Sequence, residues 1–156
     1  MAVGILEVNL ISAKGLKCSD FLGKIDPYFV LVEYKGQIRK TSSAREGGRN
    51  PTWEEKVRWR AEYPGSGGDY ALLVKLMDHD TFSSDDFLGQ ATVYVKEMLE
   101  LGAEKGKAEI HPTKYRVVGA DLNYSGEILL GVSFSLLDKD NDEEEDYGGW
   151  KSSQFD

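Results

Sequence analysis

The chain has 156 residues, a formal charge of −8, 40% hydrophobic and 11% aromatic residues. This fits one globular domain able to bury about two-thirds of its unfolded surface, and no apolar run reaches the ~20 residues that span a bilayer as a helix. A single cysteine, Cys18, excludes an internal disulfide and fits a reducing compartment.

The charge is unevenly placed. From Asp138 onward there are eight acidic and two basic residues, so the tail carries −6 and residues 1–137 only −2. The chain therefore reads as a nearly balanced body, 1–137, and an acidic tail, 138–156, without apolar period and expected to be disordered. Nucleic acid is not expected as a partner of so acidic a chain. The N-terminus opens on strand-like alternation where a secretory signal has an apolar run, and Ala2 stands where myristoylation requires glycine. The expected location is cytoplasmic.

In chain order, Leu6, Val8 and Leu10 alternate with Glu7 and Asn9 as a half-buried strand. Ser12 to Gly23 is turn-like. Tyr28 to Tyr34 is a second strand, and Lys35-Gly36 turns tightly into a third, Gln37 to Ser43. A loop rich in Gly and Arg follows, from Arg45 to Pro51. Trp53 to Arg60 is a fourth strand, with Val57 and Trp59 inward and Lys56, Arg58 and Arg60 outward. Leu72, Val74 and Leu76 define a fifth, and Leu88 to Val95 a sixth. Lys96 to Leu101 is a short helix with Gly102 as its stop. Tyr115 to Val118 is a weak seventh strand, and Ile128, Leu130, Val132 and Phe134 mark an eighth. Phe87, Leu88, Trp53 and Trp59 are expected in the core, and His111 in a loop before Pro112. Eight short strands with almost no helix predict an all-β fold, an eight-stranded antiparallel β-sandwich. Counted up and down, the loops after strands one, three, five and seven leave from one end.

Those loops hold the chemistry. Met77 to Gly89 packs four aspartates into the nine positions 78–86. Carboxylate pairs 4–6 Å apart cost roughly 3–4 kcal/mol at an effective dielectric near 20. A fold that gathers them offers a cation hard oxygen ligands, which suit Ca²⁺. The first loop holds Asp20 and Asp26, and the second Arg45 and Arg49. In the tail, Asp138, Asp140 and Asp142 imitate an EF-hand loop, but Glu143 occupies the position that needs glycine. Neither His79 nor His111 has an evident catalytic partner, and the chain has no P-loop, Gly-x-Ser-x-Gly or zinc spacing, so it does not read as an enzyme.

Leu16, Asp20, Gly23, Asp26-Pro27-Tyr28-Phe29, Asn50-Pro51-Thr52-Trp53-Glu54-Glu55, Asp78-His79-Asp80 and Asp86-Phe87-Leu88-Gly89 together resemble the C2 domain, a calcium- and phospholipid-binding module, over residues 3–137. One such domain with a short acidic tail resembles small plant C2 proteins responsive to pathogen elicitors. The chain starts directly at the strand of Gly4-Ile5-Leu6, and the strand of Gly126 to Leu130 comes last. This resembles the second, circularly permuted topology of the phospholipase type.

The resemblance implies a metal site made of Asp20, Asp26, Asp78, Asp80 and Asp86, with the carbonyls of Phe21 and His79 and the side chain of Ser83 as further ligands for two or three Ca²⁺ ions. It implies apolar membrane contacts at Phe21 and Phe82, with Arg45 and Arg49 beside them. It also implies a cationic face for phosphoinositides, made of Arg39, Lys40, Lys56, Arg58 and Arg60. The expected function is Ca²⁺-dependent binding to anionic phospholipid membranes by a monomeric signalling module. It would move from cytoplasm to the inner face of the plasma membrane when calcium rises, in stress or defence signalling. The alternative is a calcium-independent module with a protein partner.

Overall fold

The computed structural model describes residues 2–16, 28–44, 50–78, 86–119 and 122–137. Alternating apolar residues build eight strands: β1 (Ala2–Lys14), β2 (Tyr28–Tyr34), β3 (Gln37–Lys40), β4 (Thr52–Tyr63), β5 (Ala71–Asp78), β6 (Asp86–Tyr94), β7 (Lys107–Gly119) and β8 (Tyr124–Leu136). One helix, α1 (Lys96–Lys105), lies between β6 and β7.

The strands run in the order β3-β2-β5-β6-β7-β8-β1-β4, and every neighbouring pair is antiparallel. Between β6 and β7 the paired positions are Gly89 with Gly119 and Gln90 with Val118. This short seam divides the order into two four-stranded layers. Their inner faces share one core, with Val30, Val32, Leu72, Val74 and Leu76 on one side and Leu6, Val8, Trp59, Leu130 and Phe134 on the other. Complete burial of side chains this size contributes about 1.5–3 kcal/mol each.

The outer edges, β3 and β4, meet without a backbone ladder. Trp59 Nε1 donates to the Gln37 carbonyl at 3.0 Å, and Arg39 Nε donates to the Arg58 carbonyl at 2.9 Å.

The eight antiparallel strands match the alternation in the sequence, and four local features depart from it. The third strand ends at Lys40, because Thr41 turns inward and its Oγ1 accepts the Val30 N–H at 3.0 Å. The seventh strand is not short; it pairs with β8 from Lys107 to Val118, and a register shift between Ile110 and Thr113 absorbs His111 and Pro112. His111 thus lies within a strand, its Nδ1 3.3 Å from a Glu109 carboxylate oxygen. The helix does not stop at Gly102. There a Cβ would meet Phe134 Cδ2 at 2.8 Å, so the glycine serves packing, and the helix ends at Gly106, in the left-handed region at φ 96°.

Phe87 is the fourth departure. It is 42% exposed, not core. The β5–β6 register shifts between Leu76 and Met77, so Leu76 faces Gly89 while Met77 faces Phe87, and Leu88 is the extra residue. A bulge reverses inward and outward positions beyond it. Phe87 therefore joins Met77 and its β2 partner Phe29 in one row, while Leu88 packs against the core.

Tyr34 lies deep between the layers, its ring 6.2 Å from that of Trp59. Its hydroxyl is buried and finds no hydrogen-bond partner among the described residues. Burial first, then the neighbouring Tyr70 and Asp69, push its pKa from 10.0 up to about 12. The folded state thus keeps a proton that the unfolded chain loses, so the stabilisation is complete below pH 10 and disappears as pH rises towards 12. Tyr34→Phe removes a desolvated hydroxyl and should match or exceed wild-type stability at neutral pH by about 1 kcal/mol in urea unfolding. It should also lose less stability than wild type between pH 10 and pH 12. A loss of several kcal/mol at neutral pH would show that the hydroxyl serves a partner.

Candidate functional site

Tyr28, Asp78 and Asp86 form a row across β2, β5 and β6, each opposite the next. Tyr28 is the first described residue after 17–27, and Asp78 and Asp86 flank 79–85. Two connections therefore start or finish on that row.

A third connection is tied to the same place. Segment 45–49 lies between Ala44 and Asn50. The Ala44 N–H donates to the Tyr28 carbonyl at 2.8 Å, and Trp53 Nε1 donates to the same oxygen at 3.0 Å. On the other side, Asn50 Oδ1 accepts the Gly15 N–H at 2.9 Å, and the Pro51 carbonyl accepts the Ala13 N–H at 3.0 Å. Asn50-Pro51-Thr52-Trp53 thus fastens the end of β1 and the start of β2, the two sides of segment 17–27. The β7–β8 connection leaves from this end too, since Gly119 faces Gly89 and Glu127 faces Lys14.

Asp20, Phe21, Asp26, Arg45, Arg49, His79, Asp80, Phe82 and Ser83 lie outside the described residues. Asp78 closes β5 and Asp86 opens β6, directly opposite one another. Like charges directly opposite on an antiparallel pair are destabilising. Aspartates at adjoining strand ends are residue types whose hard oxygens suit a hard cation such as calcium. Among the described residues alone, no group of three or more His, Cys, Asp or Glu could hold a metal ion.

The basic residues are only partly brought together. Lys56, Arg58 and Arg60 are exposed on one face of β4. Glu7, opposite Arg58 on β1, accepts from Arg58 Nε at 2.6 Å and lies 4.0 Å from Lys56 Nζ. This patch therefore carries its own counter-charge. Arg39 reaches from β3 to the β4 edge, its guanidinium 5.6 Å from the Trp59 ring. Lys40 lies over the ring of Phe29, 4.5 Å from its centroid.

The role of Trp53 as a fastener was missed by periodicity, which marks it only as inward. Its indole acts through one side-chain-to-backbone bond, and a hydrophobic pattern does not register such a bond. The signal available was Asn50-Pro51 ahead of a tryptophan, a turn pair that leads into a strand.

A family model of the C2 domain matches residues 4–112, most of this sandwich. The chain belongs to the C2 domain family. β8, between β7 and β1, lies beyond the matched span and completes the second layer. This C2 domain is 68% identical to 16 kDa phloem protein 1 of Arabidopsis thaliana, over all of both chains. It is 48% identical to elicitor-responsive protein 1 of Oryza sativa subsp. japonica, covering 96% of each. Among solved structures it resembles a C2 domain-containing protein from a putative elicitor-responsive gene, at TM-score 0.65 and 36% identity, covering 88% of this chain and 92% of the other. The calcium-bound C2A and C2B domains of extended synaptotagmin 2 share the fold, at TM-score 0.66 and 18% identity, covering 92% of this chain and 51% of that one.

Trp53→Phe keeps the aromatic body and deletes the donor to Tyr28. It should cost about 1–3 kcal/mol in urea unfolding, the usual loss when a buried acceptor loses a partner. Stability equal to wild type would show that the Ala44 N–H alone satisfies the carbonyl.

Proposed function

We propose that this C2 domain binds anionic phospholipid membranes in response to calcium. The observation that carries the reading is the row Tyr28–Asp78–Asp86, from which the connections bearing Asp20, Asp26 and Asp80 depart. The proposed ligands are Asp20, Asp26, Asp78, Asp80 and Asp86, with the carbonyls of Phe21 and His79 and the side chain of Ser83. Two divalent ions take these five carboxylates from −5 to −1, and a third takes them to +1.

Without the metal, the aspartates repel an anionic leaflet. Bound calcium supplies the positive charge that ends this repulsion and offers coordination positions to lipid oxygens. Arg45 and Arg49 then add attraction, about 1 kcal/mol for each charge near the surface. Phe21 and Phe82 supply apolar burial, about 1.5–3 kcal/mol for a fully buried Phe.

The relatives named as elicitor-responsive and phloem proteins support a signalling role in stress or defence. The protein would act by moving to the inner face of the plasma membrane when calcium rises. The face bearing Lys56, Arg58 and Arg60 is a secondary candidate for phosphoinositides, with its net attraction reduced by Glu7.

Co-sedimentation with phosphatidylcholine vesicles containing phosphatidylserine tests the reading. The protein should pellet in calcium and stay in the supernatant in chelator. Equal pelleting in both conditions would favour a calcium-independent surface, and no pelleting in either would refute membrane binding. Asp80→Asn should lose the calcium-dependent fraction while its melting temperature in chelator stays at the wild-type value.

Residues 138–156 lie outside the described residues, and we assign them no part in the domain's stability. Truncation after Leu137 should leave the melting temperature within a few degrees of wild type. A large drop would show that the tail packs on the domain.

A further inference from the structure

The described residues of the turn from β7 into β8 carry an exposed leucine in the left-handed region. The turn's backbone closes on itself: the Gly119 N–H donates to the Asn123 carbonyl at 2.8 Å, and the Leu122 N–H donates to the Gly119 carbonyl at 2.9 Å. Leu122 sits at φ 68°, in the left-handed region, and is 84% exposed. Outside glycine, the other described residues with positive φ are Lys35 and Glu54, both polar. A non-glycine side chain in that region costs about 1–2 kcal/mol, and glycine or asparagine would remove most of the cost. Folding therefore gains nothing from leucine here: the backbone is strained and the side chain rests in water.

Two neighbours give this position a chemistry. Tyr124 is 62% exposed, and the Arg116 guanidinium lies 4.9 Å from its ring centroid. An aliphatic tip, then an aromatic ring with a polar end, then a guanidinium is the order found across a bilayer interface, from acyl chains to headgroup phosphates. The turn also points from the right end of the fold. Glu127, the β8 partner of Arg116, faces Lys14 at the end of β1, two residues before segment 17–27 begins. Gly119 faces Gly89, close to where β6 emerges from segment 79–85.

We propose that the β7–β8 turn is a further membrane contact, with Leu122 entering the acyl region and Tyr124 and Arg116 settling among the headgroups. This rests on the membrane-binding reading and adds to it a contact that holds no metal ligand. The occupant is the lipid surface because the turn is continuous with the end that bears the proposed calcium loops, and its exposed groups combine apolar, aromatic and cationic chemistry.

The test compares wild type, Leu122→Asn and Leu122→Gly in flotation with phosphatidylcholine–phosphatidylserine vesicles in calcium. Both variants suit a left-handed backbone, so their melting temperatures should equal or exceed that of wild type. Vesicle affinity should fall about tenfold, the effect of withdrawing one leucine side chain from an apolar phase. Calcium affinity in solution should not change. Leu122→Trp should show a blue shift in emission on adding vesicles with calcium, over the wild-type change.

Wild-type affinity in the Asn and Gly variants, or an unshifted Leu122→Trp, would place the turn in water and overturn this inference alone. Loss of calcium affinity together with vesicle binding would make Leu122 a shaping residue and overturn it too. A wild type that floats in neither calcium nor chelator would overturn the membrane reading and this contact with it.

Discussion

The carbonyl of Tyr28 is the fixed point of the loop end. It accepts the Ala44 amide and the Trp53 indole at once, and Tyr28 faces Asp78 across the β2–β5 ladder. One oxygen thereby connects the approach to segment 45–49, the exit of segment 17–27 and the edge of segment 79–85. Each bond is worth about 1 kcal/mol in stability. Their larger effect is positional. The described ends of three connections far apart in sequence are thereby tied to one another. A metal site assembled from separate loops requires that arrangement before any ion arrives.

The two layers divide the electrostatic work. Asp78 and Asp86 occupy adjoining strand ends at the loop end, whereas β4 carries a cationic stripe that Glu7 partly neutralises through Arg58 and Lys56. A stripe with an internal counter-ion holds its side chains in place and exerts a weaker field at a distance. Screening by the internal counter-ion leaves β4 a weak source of long-range attraction.

Much of the fold was legible because the inward residues alternate cleanly on β1, β4, β5 and β8. Leu6, Val8 and Leu10 or Ile128, Leu130 and Val132 admit one period and one face. β7 was not legible. Its ladder to β8 is broken where Pro112 offers no N–H, and exposed polar or charged residues, Lys107, Glu109, His111, Thr113, Lys114 and Arg116, interrupt any apolar period. Phe87 was misplaced for a related reason: a bulge at Leu88 reverses the face, and bulges leave no mark in composition. At the loop end, the sequence shows the aspartates as residue types, and Asp20, Asp26 and Asp80 lie outside the described residues. The hydrogen bonds of Asn50, Pro51 and Trp53 could not be read from it, because they join side chain to backbone, or backbone to backbone, across dozens of residues. Leu122 was invisible for another reason. A leucine in a turn reads as ordinary until its backbone angle and exposure are known together.

The meeting of β3 and β4 bears on how copies of the domain meet one another. Both are edge strands, and an exposed edge is a template for pairing with another copy. Here the Gln37 and Arg58 carbonyls are taken by Trp59 and Arg39, and the β4 edge is lined with Lys56, Arg58 and Arg60. Copies brought side by side would thus present edges with these two carbonyls taken and exposed cations on β4. An edge so furnished is a poor template for a second sheet.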